Sequence, residues 1–149
     1  MAGNHHDSEG AGDVLLVSDE ATVREEVRSV VEGLGLGVNE VTRGAEVTPE
    51  VQRHPYRLVV LDLQIGNMGG MAACMDLRLE ESGGRLPHVP VLMLLDRRAD
   101  VFLARRSGAE GWVVKPLDPI RLRKAVKAVL AGDVYHDRSY QPVPSTAGR

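Results

Sequence analysis

The sequence predicts an α/β protein: one doubly wound, five-stranded parallel sheet in the order 2-1-3-4-5, with helices on both faces. Three observations lead there. Short apolar runs alternate with stretches whose apolar residues recur at helical spacing. The runs are apolar throughout rather than at every second position, as in strands covered on both faces. The connections are short and rich in glycine, proline and aspartate.

Val14-Leu15-Leu16-Val17 is the first strand signal. Val23, Val27, Val30, Val31 and Leu34 then form one apolar helix face, ended by Gly33, Gly35 and Gly37. Residues 37–42 read as a weaker second strand. Thr48-Pro49-Glu50 predicts a helix start, with threonine as cap and proline in the first turn, and Pro55 stops that helix. Residues 58–61 are the third strand. Residues 71–81 are a helix ended by Gly83-Gly84, and residues 89–95 the fourth strand. Residues 99–107 are a helix with Gly108 as its stop. Trp112-Val113-Val114 is the fifth strand. Asp118 caps a last helix with Pro119 in first position and Leu122, Val126, Val129 and Leu130 on its apolar face.

A folded domain over residues 13–131 is expected, between tails at 1–12 and 132–149 with little fixed structure. His5 and His6 in the first tail read as incidental. With 43% hydrophobic and 26% charged residues, the composition is that of a soluble globular protein. No apolar run is long enough to span a bilayer, and the polar amino end does not read as a signal peptide. Cys74 is the single cysteine, so an internal disulfide is excluded and a reducing cytoplasm is the expected compartment. A net charge of -3 and 3% aromatic residues give no pull toward nucleic acid and no stacking platform for it.

In open α/β sheets, ligands bind outside the carboxyl ends of the strands at the point where strand order reverses. The 2-1-3-4-5 order brings together Asp19 after strand one, Asp62 ending strand three, Leu95-Asp96 ending strand four and Lys115 after strand five. Two carboxylates and a lysine around a cleft suit a hard divalent cation and an anion such as a phosphoryl group.

Val14 to Glu20, Leu58 to Gly70 and Gly108 to Pro116 together resemble the signatures of the response-regulator receiver domain, in order, over about residues 13 to 131. The resemblance implies a flavodoxin-like receiver, cytoplasmic and bacterial, in two-component phosphorelay signalling. It implies that Asp62 accepts a phosphoryl group from a histidine kinase and that Lys115 binds the phosphoryl oxygens. It also implies that Mg2+ is held by Asp19, Asp62 and the Gln64 backbone carbonyl. The Lys115-Pro116 bond falls where the family's peptide is usually cis. No enzymatic activity is expected beyond autocatalytic phosphotransfer to Asp62.

Four positions depart from the family pattern. Ser18 replaces the first acid of the usual pair, so it is expected to reach a metal only weakly, through water. Leu95 replaces the hydroxyl residue that normally bonds the phosphoryl group, a bond worth about 1.5–3 kcal/mol. Trp112 replaces the smaller switch aromatic and is expected to stay in one rotamer. Gly66 replaces a common proline and loosens the loop that would aim the Gln64 carbonyl. With Glu20 expected to turn toward the first helix, Asp19, Asp62 and Lys115 form a near-balanced cluster. Weak magnesium binding and a stable metal-free form follow.

The expected function is therefore an atypical single-domain response regulator that acts through protein contacts, with phosphorylation-driven switching impaired or absent. The alternative is a working phosphoacceptor receiver on Asp62 with Mg2+. Arg97, Arg98, Arg105, Arg106, Arg121, Arg123, Lys124 and Lys127 make the last third basic, on the fourth and fifth helices beside strand five. That α4-β5-α5 face suits a homodimer or an acidic partner, or is simply solvated. Partners are expected to be a histidine kinase or a downstream signalling protein, with no direct nucleic acid and no membrane. Phe102 is expected in the core. No DNA-binding module is expected after Leu130. Gln64, two residues after Asp62, stands where a haloacid-dehalogenase phosphatase would need a second aspartate. Neither a P-loop nor a flavin phosphate cradle is present.

Overall fold

The computed structural model describes residues 12–66 and 69–138. The elements are β1 (Gly12–Val17), α1 (Ala21–Gly33), β2 (Gly37–Val41), α2 (Val47–Arg53), β3 (Leu58–Asp62), α3 (Gly70–Ser82), β4 (Val91–Leu95), α4 (Val101–Ser107), β5 (Gly111–Val114), α5 (Pro119–Leu130) and β6 (Tyr135–His136). Short 3-10 turns, Gly44–Glu46 and Arg98–Asp100, lead into α2 and α4. The sheet order is β2-β1-β3-β4-β5-β6, and every pairing is parallel. The expected 2-1-3-4-5 core is therefore present, with one further strand on its edge.

Alternate residues of each strand feed two separate cores. Leu15, Val17, Val59, Leu61, Met93 and Leu95 face α2, α3 and α4. Val14, Leu16, Leu58, Val60, Leu92 and Leu94 face α1 and α5. Burial on both sides explains why these strands are apolar without alternation. The two cores fix the pleat, since a slip of one residue would exchange them.

The helix ends follow local chemistry. Asp118 accepts the Ile120 N–H at 3.0 Å, and Pro119 occupies the first turn of α5. Gly108 ends α4 at φ 82°, in the left-handed region. Thr48 is not a cap as expected. Val47 already lies within α2, and the Thr48 hydroxyl donates to Asp76 Oδ2 of α3 at 2.6 Å. Phe102, expected in the core, is 59% exposed beneath the Arg106 guanidinium. Val101 and Ala104 supply the buried face of α4 instead.

The segment expected as a tail after residue 131 is structured where it is described. Tyr135 and His136 pair with Gly111 and Trp112. No apolar run announces β6. Tyr135 N–H donates to the Glu110 carbonyl at 3.2 Å and Asp137 N–H to the Trp112 carbonyl at 3.3 Å, while the Asp137 side chain accepts the Val114 N–H at 2.9 Å. The expected first tail up to residue 11, with His5 and His6, and the second from residue 139 lie outside the described residues. Among the described residues no helix is long and apolar enough to cross a membrane.

Candidate functional site

The parallel order carries the carboxyl ends of β1, β3, β4 and β5 to one edge of the sheet. Asp62, the last residue of β3, is fully buried there. Its Oδ2 accepts the Ser18 hydroxyl at 2.8 Å. Its Oδ1 accepts the Lys115 ammonium at 2.9 Å and the Gln64 N–H at 3.3 Å. All three are donors, which suits an ionised carboxylate. Burial raises the Asp62 carboxyl above its ordinary value, while the bonds from Lys115, Ser18 and Gln64 favour the charged form.

Lys115 gathers the site's charge. Its Nζ lies 2.8 Å from Asp96, 2.9 Å from Asp62 and 3.5 Å from Glu20. Burial works against its charge, but hydrogen bonds and attraction from Asp96 and Asp62 outweigh it and raise its pKa. Glu20, expected to turn toward the first helix, faces the lysine. Asp96, expected on this edge from its place just after β4, pairs with the lysine there. The Lys115–Pro116 peptide is cis, as the resemblance implied.

Ser18 bonds Asp62 directly and accepts the Glu20 N–H at 3.1 Å. Asp19 Oδ2 accepts the Gly66 N–H at 2.9 Å. As arranged, these residues offer a divalent cation few free ligands. Ser18 brings no charge, and both Asp62 oxygens face donors. No group of three or more His, Cys, Asp or Glu able to hold a metal occurs among the described residues. The loop beyond Gly66 passes through residues 67–68, outside the described residues, and re-enters at Gly69. A Cβ on Gly70 would lie 2.4 Å from the Asp62 carbonyl oxygen, so only glycine lets α3 start against the end of β3.

Leu95 and Trp112 lie in one core. Leu95 is fully buried, and Trp112 is 1% exposed. The indole stacks on His136 with centroids 4.1 Å apart and planes 6° from parallel, and the Arg105 guanidinium lies 5.0 Å from the ring centre. Its Nε1–H is buried without an acceptor among the described residues. An unmade bond of this kind costs about 1–3 kcal/mol.

The sequence matches the response regulator receiver domain family over residues 14–127. The DNA-binding response regulator MtrA of Mycobacterium tuberculosis is 31% identical over 119 residues, which are 78% of this chain and 50% of that protein. The chain thus spans about half the length of the curated relatives it matches. Among solved structures, a LuxR-family two-component response regulator from an Aurantimonas species superposes with a TM-score of 0.69 at 28% identity, covering 82% of this chain and 86% of that one. Chemotaxis response regulator CheY4 of Vibrio cholerae superposes at 0.70 with 25% identity, covering 79% and 98%. The expectation that this chain avoids nucleic acid gains nothing from relatives named as DNA-binding.

Proposed function

The chain belongs to the response regulator receiver domain family of two-component signalling, and on that premise we propose a receiver that signals through protein contact, with phosphorylation-driven switching impaired. The carrying observation is the pair Leu95 and Trp112. A buried leucine stands where a hydroxyl would meet the phosphoryl group, and the aromatic that should move is already buried and stacked on His136 of the edge strand. Leu95 offers a phosphoryl group at Asp62 no hydrogen bond, so β4 gains nothing from its arrival. A ligand shifts an equilibrium only by its differential affinity for the two states.

Weak metal binding belongs to the same reading. Lys115 offsets one of the carboxylates gathered around it, and Ser18 withholds a further charge that would attract Mg2+. The compartment is the cytoplasm, by analogy with kinase-coupled receivers. A histidine kinase or a downstream signalling protein is the partner class, and the basic α4-β5-α5 face is the place for it or for a second copy of the chain.

A second reading, phosphoacceptance on Asp62, has its own support: Lys115 sits 2.9 Å from the carboxylate, ready to take phosphoryl oxygens. An Asp62 oxygen would attack phosphorus as the P–N bond of a phosphohistidine breaks, the electron pair leaving with the imidazole. The two readings differ in response, and titration with beryllofluoride and magnesium separates them. We expect amide shifts confined to the Asp62 loop, with Trp112 fluorescence unchanged. Saturable shifts running through β4, α4 and β5 would replace the first reading by the second.

A further inference from the structure

The edge of β5 is occupied by the chain's own residues 135–137, and the contacts there state what chemistry that edge accepts. Each is specific. The Glu110 and Trp112 carbonyls take N–H groups from Tyr135 and Asp137. The Val114 N–H points into the Asp137 carboxylate at 2.9 Å. Asp137 is 2% exposed and lies 3.5 Å from the Arg121 guanidinium. His136 lies flat on Trp112. Gly111 has no side chain to obstruct the pass, for a Cβ there would stand 2.9 Å from the Tyr135 carbonyl oxygen. The segment is nevertheless a two-residue strand beyond the end of α5, flanked by exposed Asp133, Val134 and Arg138.

We propose that the β5 edge is a strand-acceptor site for an extended acidic segment of a partner protein, held closed in cis by residues 135–137. Lifting this strap would expose the backbone groups of Glu110, Trp112 and Val114, one face of the indole, and Arg121, with Arg105 beside the ring. An unpaired strand edge is completed by another strand. Arg121 and the outward-pointing Val114 N–H select a carboxylate at the position of Asp137, and the indole selects a planar side chain just before it. The proposal goes beyond the receiver reading and does not depend on the chemistry of Asp62.

Amide exchange in the unmodified chain gives the first test. The Val114 N–H is held by the strap, whereas the next amide, Lys115, donates inward to the Leu95 carbonyl at 2.7 Å. A displaceable strap lets Val114 exchange far faster than Lys115. Equal rates at the level of global unfolding would make the strap a fixed part of the core and overturn the proposal. Next, Asp137→Ala in the full chain should raise acrylamide quenching of Trp112 severalfold. A synthetic peptide of residues 133–138 should reverse that rise saturably, and the same peptide with its Asp137 changed to Ala should not. Unchanged quenching, or a peptide that fails to restore protection, refutes the acceptor site. Should the variant not fold, the peptide at millimolar concentration must shift the Val114 amide resonance of the unmodified chain by competing with the strap. Absence of that shift is equally decisive.

Discussion

Replacing Ser18 by aspartate tests the electrostatic account of the site, because the structure fixes what the new charge would meet. Ser18 is fully buried, with its hydroxyl 2.8 Å from Asp62 Oδ2. A carboxylate there stands about 4 Å from a second one, a repulsion of about 4 kcal/mol at an effective dielectric constant of about 20. The hydroxyl's bond to a charged acceptor, worth about 1.5–3 kcal/mol, is lost as well. Uptake of a proton by one carboxylate relieves part of this, so the metal-free variant should be less stable by about 3–5 kcal/mol. Ser18→Asn carries the same bulk without the charge and isolates the steric part.

Magnesium should then act unequally on the two proteins. A site filled at one hundred times its dissociation constant gains about 2.7 kcal/mol, and one filled to its dissociation constant about 0.4 kcal/mol. Urea unfolding followed through Trp112, the single tryptophan, reads this directly in magnesium and in chelator. With a slope of about 1–3 kcal/mol per molar urea, Ser18→Asp should gain about 1–3 M in midpoint on adding magnesium. The unmodified protein and Ser18→Asn should scarcely move. If the unmodified protein gains as much as Ser18→Asp, the charge balance set by Ser18 and Lys115 does not govern the metal, and the reasoning fails.

Leu95→Thr restores the missing hydroxyl at the cost of a smaller buried side chain, so a destabilisation of about 2–4 kcal/mol is expected. Beryllofluoride should then move β4 and β5 amides that it leaves still in the parent, and silence in the variant would place the block elsewhere. The raised pKa of Asp62 gives a signed pH prediction. Between the unfolded carboxyl value and the higher folded one, the native state holds the extra proton, so the Asp62 contribution to stability falls as pH rises through that window. Relative to Asp62→Asn, which titrates nowhere, the unmodified protein should lose stability from mildly acid pH upward and run parallel above it. Denaturation at a series of pH values checks this, and a difference that grows in the other direction contradicts it.

The sheet and its order were legible because burial on both faces leaves long apolar strands and periodic helices. What escaped notice is non-local or rests on single polar bonds. Thr48 looks like a cap until Asp76, twenty-eight positions away, takes its hydroxyl. β6 has no apolar signature, since its hold on β5 comes from main-chain bonds and the Asp137 carboxylate. Asp62 and Lys115 were readable from their places at strand ends. That Ser18 bonds Asp62 directly was not, because a serine after a strand points to water or to a neighbour with equal ease until the distance is known.

The proposed reading assigns the chemistry of Asp62 and the movement of the domain to different residues. A phosphoryl group would meet Lys115, Ser18 and the Gln64 N–H, all at the ends of strands or in loops. A response further away requires Trp112 to move, and Met93, paired with it across the ladder, is buried with Leu95 in the same core. Inward there is no room, because interiors are close-packed and Leu95 already fills its place. Outward, the ring meets His136, which the Asp137 bond to Val114 holds down. On the proposed reading, freedom of Trp112 is governed by the strap and not by the charge on Asp62, and a signal that moves it arrives through β5 and the segment after α5.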